Sequence, residues 1–200
     1  MIKEKISKQK KIEKLIIQTA IKLAKDGKGS IAIFNIGEKI KYRNLFNNDV
    51  EPFNILDSPR RYEIIAAVDG AVIISPKGKI ISYSAQILNP KPFMNFGMRH
   101  ASGYTASKGG NLVVISSEED RKVKVFKDMK MIMQIDPLEK DVEKKSKEIV
   151  GFLESFGVGA LGSITTTVLI PTLGITLIPG IIIFGSAHFI LKSIVKTFEK

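Results

Sequence analysis

Three short stretches of the sequence place acidic, basic and very small residues next to apolar runs. The first is Asp69-Gly70-Ala71, which opens the run AVIIS. An Asp at the edge of a strand can hold a divalent ion or accept a proton from a hydroxyl group. Gly70 and Ala71 beside it allow a ligand to come close to the backbone. We therefore predict that Asp69 takes part in chemistry at a hydroxyl or a phosphate group.

The other two stretches carry groups that suit phosphate. Gly97 opens a predicted helix, and the free N–H groups of a helix N-terminus bind phosphate oxygens. Arg99 and His100 in its first turn add a forked donor and a titratable one. Ser117 and Glu118 follow the apolar run LVVIS, at a strand end of the kind where ligands bind in open α/β sheets. Each stretch alone is typical of a turn or a surface helix, so the prediction depends on their combination.

Periodic apolar residues predict the framework that must hold these stretches. An apolar stripe at helical spacing predicts an amphipathic helix over residues 2–24 that packs on the core, with a membrane-surface or DNA-binding helix as the alternative. Strand-like runs follow over residues 31–135, and AVIIS and KIISYSAQI form a predicted hairpin. Strands outnumber helices and their connections are mixed. We therefore expect an α/β fold with a mixed β-sheet flanked by helices.

Composition excludes several classes of protein. The chain has 200 residues, a net charge of +11, no Cys and two His. It can form neither a disulfide framework nor a thiolate or His-rich metal site. The loop KDGKGS lacks the spacing of a phosphate-binding Walker A loop, and no G-x-S-x-G elbow accompanies a serine nucleophile. The positive charge suits a phosphate-bearing partner or an anionic membrane face, and it also suits plain solubility.

An apolar tract follows the predicted core. Residues 136–155 are predicted to form a charged connector helix, and no Lys, Arg, Asp or Glu occurs from Ser155 to Leu191. The connector is rich in Lys and the tail at 192–200 is basic, and Lys residues on both flanks favour an even number of membrane crossings with both flanks in the cytoplasm. We expect a helical membrane hairpin over residues 156–191. A single spanning helix and an apolar appendage buried in a soluble oligomer are the alternatives.

Taken in order, DGAVIIS, FGMRHASGY and LVVISSEE resemble the diadenylate cyclase (DAC) domain family. That family carries a DGA motif, an RHR-type motif that opens a helix, and a strand that ends in SEE or similar. The resemblance spans roughly Ile31 to Ile135 and makes residues 1–135 a DAC-like domain. It implies synthesis of cyclic di-AMP from two ATP molecules, release of two pyrophosphates, and a requirement for Mg²⁺ or Mn²⁺. It also implies a face-to-face homodimer or a higher homo-oligomer.

The resemblance also implies a role for each matching residue. Asp69 would act at the 3′-hydroxyl and the metal, above a floor shaped by its two small neighbours. The remaining assignments are to the triphosphate (Gly97, Arg99 and His100), to the phosphates and the metal (Ser117 and Glu118), and to the adenine (Gln86 or Ile87).

Two departures from the family pattern keep other functions open. Met98 stands where a Thr or Ser is common, and Ala101 stands where a second Arg is common. The alternative is therefore a catalytically weak or inactive module that binds ATP or cyclic di-AMP at the membrane. The charge of +11 also suggests nucleic acid as a partner, but no added DNA-binding region is recognisable, so we expect no specific nucleic acid. The expected location is the cell membrane, with lipid as a partner and the catalytic domain on the cytoplasmic side.

Overall fold

A computed structural model describes the chain at residues 2–46, 51–93, 96–140, 142–155, 175–178 and 180–184. The α-helices in these ranges are α1 (Ile2–Lys25), α2 (Pro59–Ala66), α3 (Met98–Ala106) and α4 (Ser146–Ser155). The strands are β1 (Ser30–Phe34), β2 (Tyr42–Asn44), β3 (Ala71–Ile74), β4 (Ile80–Ile87), β5 (Leu112–Ser116), β6 (Val123–Lys127), β7 (Lys130–Ile135), β8 (Ile175–Ile178) and β9 (Ile181–Ile183). Short 3₁₀ turns occupy Lys108–Gly110 and Val142–Lys145.

The described strands form one mixed sheet in the order β2-β4-β3-β1-β5-β6-β7-β9-β8. Strands β1 and β3 are parallel, and every other neighbouring pair is antiparallel. Helix α2 lies in the connection between β2 and β3, while β3 and β4 form the predicted hairpin. The expectation of a mixed α/β sheet flanked by helices is confirmed.

Helices cover both faces of the sheet, which explains why the strands β1, β3 and β5 are apolar along most of their length. On β1, Ile31 and Ile33 pack into the cluster that includes Ala106 of α3. Ala32 and Phe34 pack into the opposite cluster, which contains side chains of α1, α2 and α4. Alternate residues of a strand point to opposite faces. A strand residue on the first face therefore lies beneath α3.

Helix α1 matches the amphipathic helix predicted over residues 2–24. Ile12, Ile16 and Leu23 of its apolar stripe are at most 2 % exposed in the cluster on the sheet. Full burial of such a side chain stabilises the fold by roughly 1.5–3 kcal/mol. The stripe is therefore occupied by the sheet, which argues against its use on a membrane surface or on DNA.

The predicted connector helix begins later than the sequence suggested. Residues 136–140 form turns, and helix α4 starts only at Ser146. The carboxylate of Asp136 accepts a hydrogen bond from the backbone N–H of Leu138, 3.0 Å away. An Asp that bonds the backbone two residues on stabilises a turn rather than a helix. The helical prediction is therefore wrong for the first part of the connector.

Part of the apolar tract also differs from the prediction. Residues Ile175–Ile178 and Ile181–Ile183 are strands, and β9 extends the sheet along β7. The sequences ITLI and III are rich in β-branched side chains, which favour a strand where a sheet edge can pair with them. A helical membrane segment is therefore wrong for these residues. The rest of the predicted segment, 156–174 and 185–191, and the basic tail at 192–200 lie outside the described residues.

Within the part of the chain that the structure describes, no helix combines the length and the apolar character needed to cross a membrane.

Candidate active site

The sheet topology brings the three chemistry-bearing stretches to one edge. The parallel register pairs Ile31 with Ala71, so the residues that precede β1 and β3 are neighbours. Strand β5 runs the other way and pairs Ser116 with Ser30, so its end lies at the same edge. Adjacent strands are about 4.8 Å apart, so the edge from Asp69 to Ser117 spans about 10 Å. The sequence prediction that these stretches meet therefore agrees with the topology.

Asp69 lies at this edge with an exposed side chain. One carboxylate oxygen accepts a hydrogen bond from the backbone N–H of Gly70 at 2.9 Å. The Asp69 carbonyl accepts a second hydrogen bond, 2.8 Å long, from the hydroxyl group of Ser84 on β4. These two bonds fix the backbone of Asp69 and leave its carboxylate accessible from solvent.

Gly70 is required by the fold. Its φ of +92° lies in the region that L side chains rarely adopt, and a Cβ there would stand 2.6 Å from the carbonyl carbon of Ser84. The space beside Gly70 is thus filled by β4, whereas the sequence suggested that it admits a ligand. Ala71 is fully buried in the α3 cluster.

Arg99 reaches across the edge from the first turn of α3. Its guanidinium group lies on Gly29, where a Cβ would overlap it, and stands 3.4 Å from a carboxylate oxygen of Glu118. The side chain of Arg99 is 30 % exposed, so it can contact a ligand as well as its protein partners. Gly97, which caps α3, has open space where a side chain would project. Arg99 and Glu118 are thus brought together, as the sequence implied.

His100 faces the interior. Its Nε2 atom lies 3.1 Å from Nζ of Lys124, and its ring is 4.6 Å from the ring of Phe96, measured between centroids. Burial lowers the pKa of His100 to about 4, and the positive charge of Lys124 acts in the same direction. The imidazole is therefore neutral at neutral pH, which leaves Arg99 as the cationic residue of this first turn.

Lys124 and Asp120 were missed in the sequence analysis. Lys124 Nζ stands 2.5 Å from Oδ2 of Asp120, and the side chain of Ser117 also hydrogen-bonds to Asp120. Partial burial raises the pKa of Asp120, but these hydrogen bonds and the charge of Lys124 outweigh it and hold the pKa below its usual value. The sequence VKVF of β6 could have indicated Lys124, because residues two apart on a strand point to the same face and Lys124 therefore lies beneath α3 with Phe126.

The residues assigned to the adenine lie near the same edge at the end of β4. Gln86 is exposed, and its side-chain oxygen accepts a 2.6 Å hydrogen bond from Nε of Arg43 on the neighbouring strand. Ile87 is buried in the α3 cluster with Phe93. Their side chains therefore belong to opposite environments, and only Gln86 is open to solvent.

The donor set fits a divalent cation that is shared with a phosphate ligand. Among the residues described, no three His, Asp or Glu side chains gather into a site that could hold a metal alone. Mg²⁺ is commonly held by one or two carboxylates together with substrate phosphates. Asp69 offers an exposed carboxylate for this purpose, whereas Glu118 is paired with Arg99.

The fold and the groups at this edge of the sheet define an α/β domain with the side chains expected to bind a nucleotide. The family model described as "DisA bacterial checkpoint controller nucleotide-binding" (DAC) matches residues 17–131. The chain therefore belongs to the DAC family.

Two proteins named "Diadenylate cyclase" are similar in sequence. The one from Methanocaldococcus jannaschii is 29% identical over 146 residues, which are 65% of this chain and 47% of the relative. The one from Haloferax volcanii is 31% identical over 139 residues, which are 61% of this chain and 51% of the relative. The chain thus spans about half the length of these curated relatives.

Two solved structures are also similar. A double mutant of DacA from Staphylococcus aureus is 18% identical with a TM-score of 0.46, over 70% of this chain and 93% of the other. A hypothetical membrane spanning protein from Bacillus cereus is 19% identical with a TM-score of 0.44, over 57% and 59% of the two chains.

Proposed function

We propose that the protein is a diadenylate cyclase, which condenses two ATP molecules into cyclic di-AMP and two pyrophosphates. Membership of the DAC family supports this activity. The observation that carries the proposal is the meeting of an accessible carboxylate, Asp69, and a guanidinium group, Arg99, at one edge of the sheet.

The reaction is a double phosphoryl transfer in which each nucleotide is both attacker and target. The 3′-hydroxyl oxygen of one ATP bonds to the α-phosphorus of the other, the bond to the bridging oxygen breaks, and pyrophosphate leaves. Asp69 is the group that we assign to take the hydroxyl proton, because its carboxylate is exposed and its position is held by Gly70 and Ser84. The same step with the nucleotides exchanged closes the ring.

Neutralisation of the phosphates falls to the groups around α3. The N-terminus of α3 opens at Gly97 into free space, and Arg99 stands in its first turn. Both favour negative charge, through helix N–H groups and through a forked donor. A divalent cation, Mg²⁺ or Mn²⁺, held by the nucleotide phosphates with Asp69, and with Glu118 at the rim, would add positive charge at the same place. Positioning and charge neutralisation supply most of the rate in phosphoryl transfer.

The chemistry requires two active sites to face each other. One ATP cannot close the ring with itself, so each nucleotide needs a partner in the opposite orientation. A two-fold homodimer gives both attacks the same geometry. The specific rate should therefore rise with protein concentration until the dimer is saturated.

Product analysis tests the proposal directly. The full chain is incubated with ATP and either Mn²⁺ or Mg²⁺, and the products are identified by mass spectrometry over a range of protein concentrations. Cyclic di-AMP and pyrophosphate in a ratio of one to two are expected. Wild-type protein that makes no cyclic di-AMP at high concentration with several metals would refute the activity.

A second candidate function is a nucleotide-binding module without turnover. Neither the thioether of Met98 nor the methyl group of Ala101 can donate a hydrogen bond, so neither position provides the polar group found in the family pattern. Calorimetry that detects tight binding of ATP or cyclic di-AMP by a chain that forms no product would favour this alternative.

Membrane attachment is a separate part of the proposal. It concerns the parts of the apolar tract other than β8 and β9, and it is supported by the absence of charged residues from Ser155 to Leu191 and by the Lys residues on both flanks of that tract. The cytoplasmic side would then carry the catalytic domain. Flotation of the full chain with phospholipid vesicles tests the attachment, and a chain that stays with the soluble fraction at all salt concentrations would refute it without touching the proposed activity.

A further inference from the structure

A buried lysine beneath α3 has no role in the chemistry described so far. Lys124 is 1 % exposed, although it lies on a central strand of the sheet. Burial of an ammonium group is costly unless the charge is paired and its N–H groups are hydrogen-bonded. The contacts that offset this cost therefore indicate what the residue does.

Three partners surround the ammonium group. Oδ2 of Asp120 lies 2.5 Å away, Nε2 of His100 lies 3.1 Å away, and the centroid of the Phe96 ring lies 4.7 Å away. An ammonium group has three N–H bonds and cannot accept a hydrogen bond. The carboxylate, the imidazole nitrogen and the ring face together give each N–H bond a partner.

The imidazole must match this donor. Because Lys124 only donates, Nε2 of His100 must accept, and a neutral imidazole that accepts at Nε2 carries its proton on Nδ1. Burial and the nearby positive charge lower the pKa of His100 to about 4, so the ring stays neutral at neutral pH. The contact thus selects one tautomer as well as one ring orientation.

The same ammonium group connects two parts of the edge site. His100 belongs to the first turn of α3, next to Arg99, while Asp120 belongs to the turn that follows Ser117. The hydrogen bond between Ser117 and Asp120 extends the connection to the end of β5. Lys124 therefore joins the helix turn that carries Arg99 to the strand end that carries Ser117.

We infer that Lys124 is a positioning residue of the candidate active site: its ammonium group, anchored by Asp120, donates to Nε2 of His100 and fixes the imidazole with its proton on Nδ1. The catalytic meaning of this inference rests on the proposed cyclase activity. The tautomer and its dependence on Lys124 do not, and they can be measured in a chain that makes no product.

The first test is nuclear magnetic resonance of the ¹⁵N-labelled full chain at neutral pH. His100 and His188 are the two histidines of the sequence, so two ring spin systems are expected, and a His188→Gln variant assigns them. Long-range ¹H–¹⁵N correlations should give His100 as the neutral Nδ1–H tautomer. A His100 that carries its proton on Nε2, or on both nitrogens, would overturn the inference in the wild-type chain alone.

Variants then show whether Lys124 sets the tautomer. Lys124→Met keeps the length and the apolar stem but removes the donor, so the Nδ1–H preference should disappear. Lys124→Arg keeps a donor and should retain it. Lys122→Met, two residues away on a partly exposed side chain, is the matched control and should leave the His100 spectrum unchanged. A Lys124→Met chain that keeps the wild-type tautomer would contradict the inference.

Kinetics distinguish positioning from direct contact with the substrate. Misplacement of a catalytic geometry by about 1 Å can cost about 100-fold in rate, so Lys124→Met should lower kcat by roughly 10- to 100-fold and change KM for ATP by less than about threefold. Lys124→Arg should recover part of kcat. A large rise in KM with kcat unchanged in Lys124→Met would assign Lys124 to nucleotide binding and reject the positioning role. Unchanged kcat and KM in this variant would also reject the positioning role. If the wild-type chain is inactive, the proposed function fails while the resonance data still decide the inference.

Discussion

The guanidinium group of Arg99 lies directly on the backbone of Gly29, a contact between the first turn of α3 and the loop that leads into β1. A side chain at position 29 would occupy the place of the guanidinium group. The contact therefore depends on the absence of a Cβ, and it directs Arg99 across the edge of the sheet toward Glu118, 3.4 Å away.

Gly29→Ala should displace Arg99 at little cost to the fold. The overlapping atoms belong to the end of a flexible side chain, so the free energy of unfolding should change by less than about 1 kcal/mol. Cyclic di-AMP production should fall at least tenfold, because a displaced guanidinium group no longer meets the phosphate. Gly151→Ala, where a Cβ has open space on α4, is the control and should leave production unchanged. If Gly29→Ala kept wild-type turnover, the position of the Arg99 guanidinium group on Gly29 would not be required for catalysis.

Gly70→Ala should destabilise the fold through a backbone clash. The new Cβ would stand 2.6 Å from the carbonyl carbon of Ser84, and the φ of +92° adds strain. Overpacking and left-handed strain each cost roughly 1–3 kcal/mol, so urea unfolding should show a loss of that order or more. Gly110→Ala separates the two effects, since Gly110 has a similar φ of +89° but open space around it. Equal losses in the two variants would show that strain alone acts at Gly70.

The combination of the chemistry-bearing stretches, and the family resemblance that it carries, implied that they meet around one nucleotide. Each of them flanks a strong β run or opens a helix, and the parallel β1–β3 pair with the antiparallel β5 brings their ends to one edge. These elements are recognisable locally, because apolar periodicity and turn residues mark strands and helix starts in the sequence. The family resemblance added the chemistry.

The partners of His100 could not be predicted in the same way. Lys124 reaches His100 only because β6 lies beside β5 and beneath the start of α3, which is a consequence of strand order and register. The strands β8 and β9 were missed for a related reason. Apolar β-branched residues occur both in membrane helices and in strands, so the sequence pattern alone does not distinguish them. At Ile181–Ile183 the chain forms a strand because it can hydrogen-bond to β7.

Acid should destabilise the protein through His100. Its pKa is about 4 in the folded chain and about 6.5 in an unfolded one, so the unfolded chain binds more protons between these values. The free energy of unfolding should therefore fall as pH drops from about 6.5 to about 4, by on the order of 3 kcal/mol in total.

His100→Gln isolates that contribution, because an amide oxygen can still accept a hydrogen bond from Lys124 but does not titrate in this range. Its unfolding free energy, from urea titrations at several pH values, should be nearly constant across the window. Asp120 acts separately. Its pKa is lowered in the folded chain, so its contribution is present above its ordinary pKa and is lost only in stronger acid. A wild-type chain as stable at pH 4.5 as at pH 7 would contradict the burial of a neutral His100.

Asp69→Asn should abolish turnover and keep the fold. The side-chain oxygen of the introduced amide can still accept the hydrogen bond from Gly70, and the side chain is exposed, so the free energy of unfolding should change by less than about 0.5 kcal/mol. The amide cannot take the proton of a ribose hydroxyl and is a weaker ligand for a divalent cation, so cyclic di-AMP production should fall by roughly 10²–10⁴-fold. ATP affinity, measured by calorimetry without turnover, should change much less, because Arg99 and the N-terminus of α3 remain.

Asp57→Asn is the matched control, because Asp57 is an exposed carboxylate near the opposite end of β3, and this variant should retain full production. Production by Asp69→Asn within threefold of wild type would mean that another group accepts the proton, and the assignment of Asp69 would fail even if the chain were a cyclase.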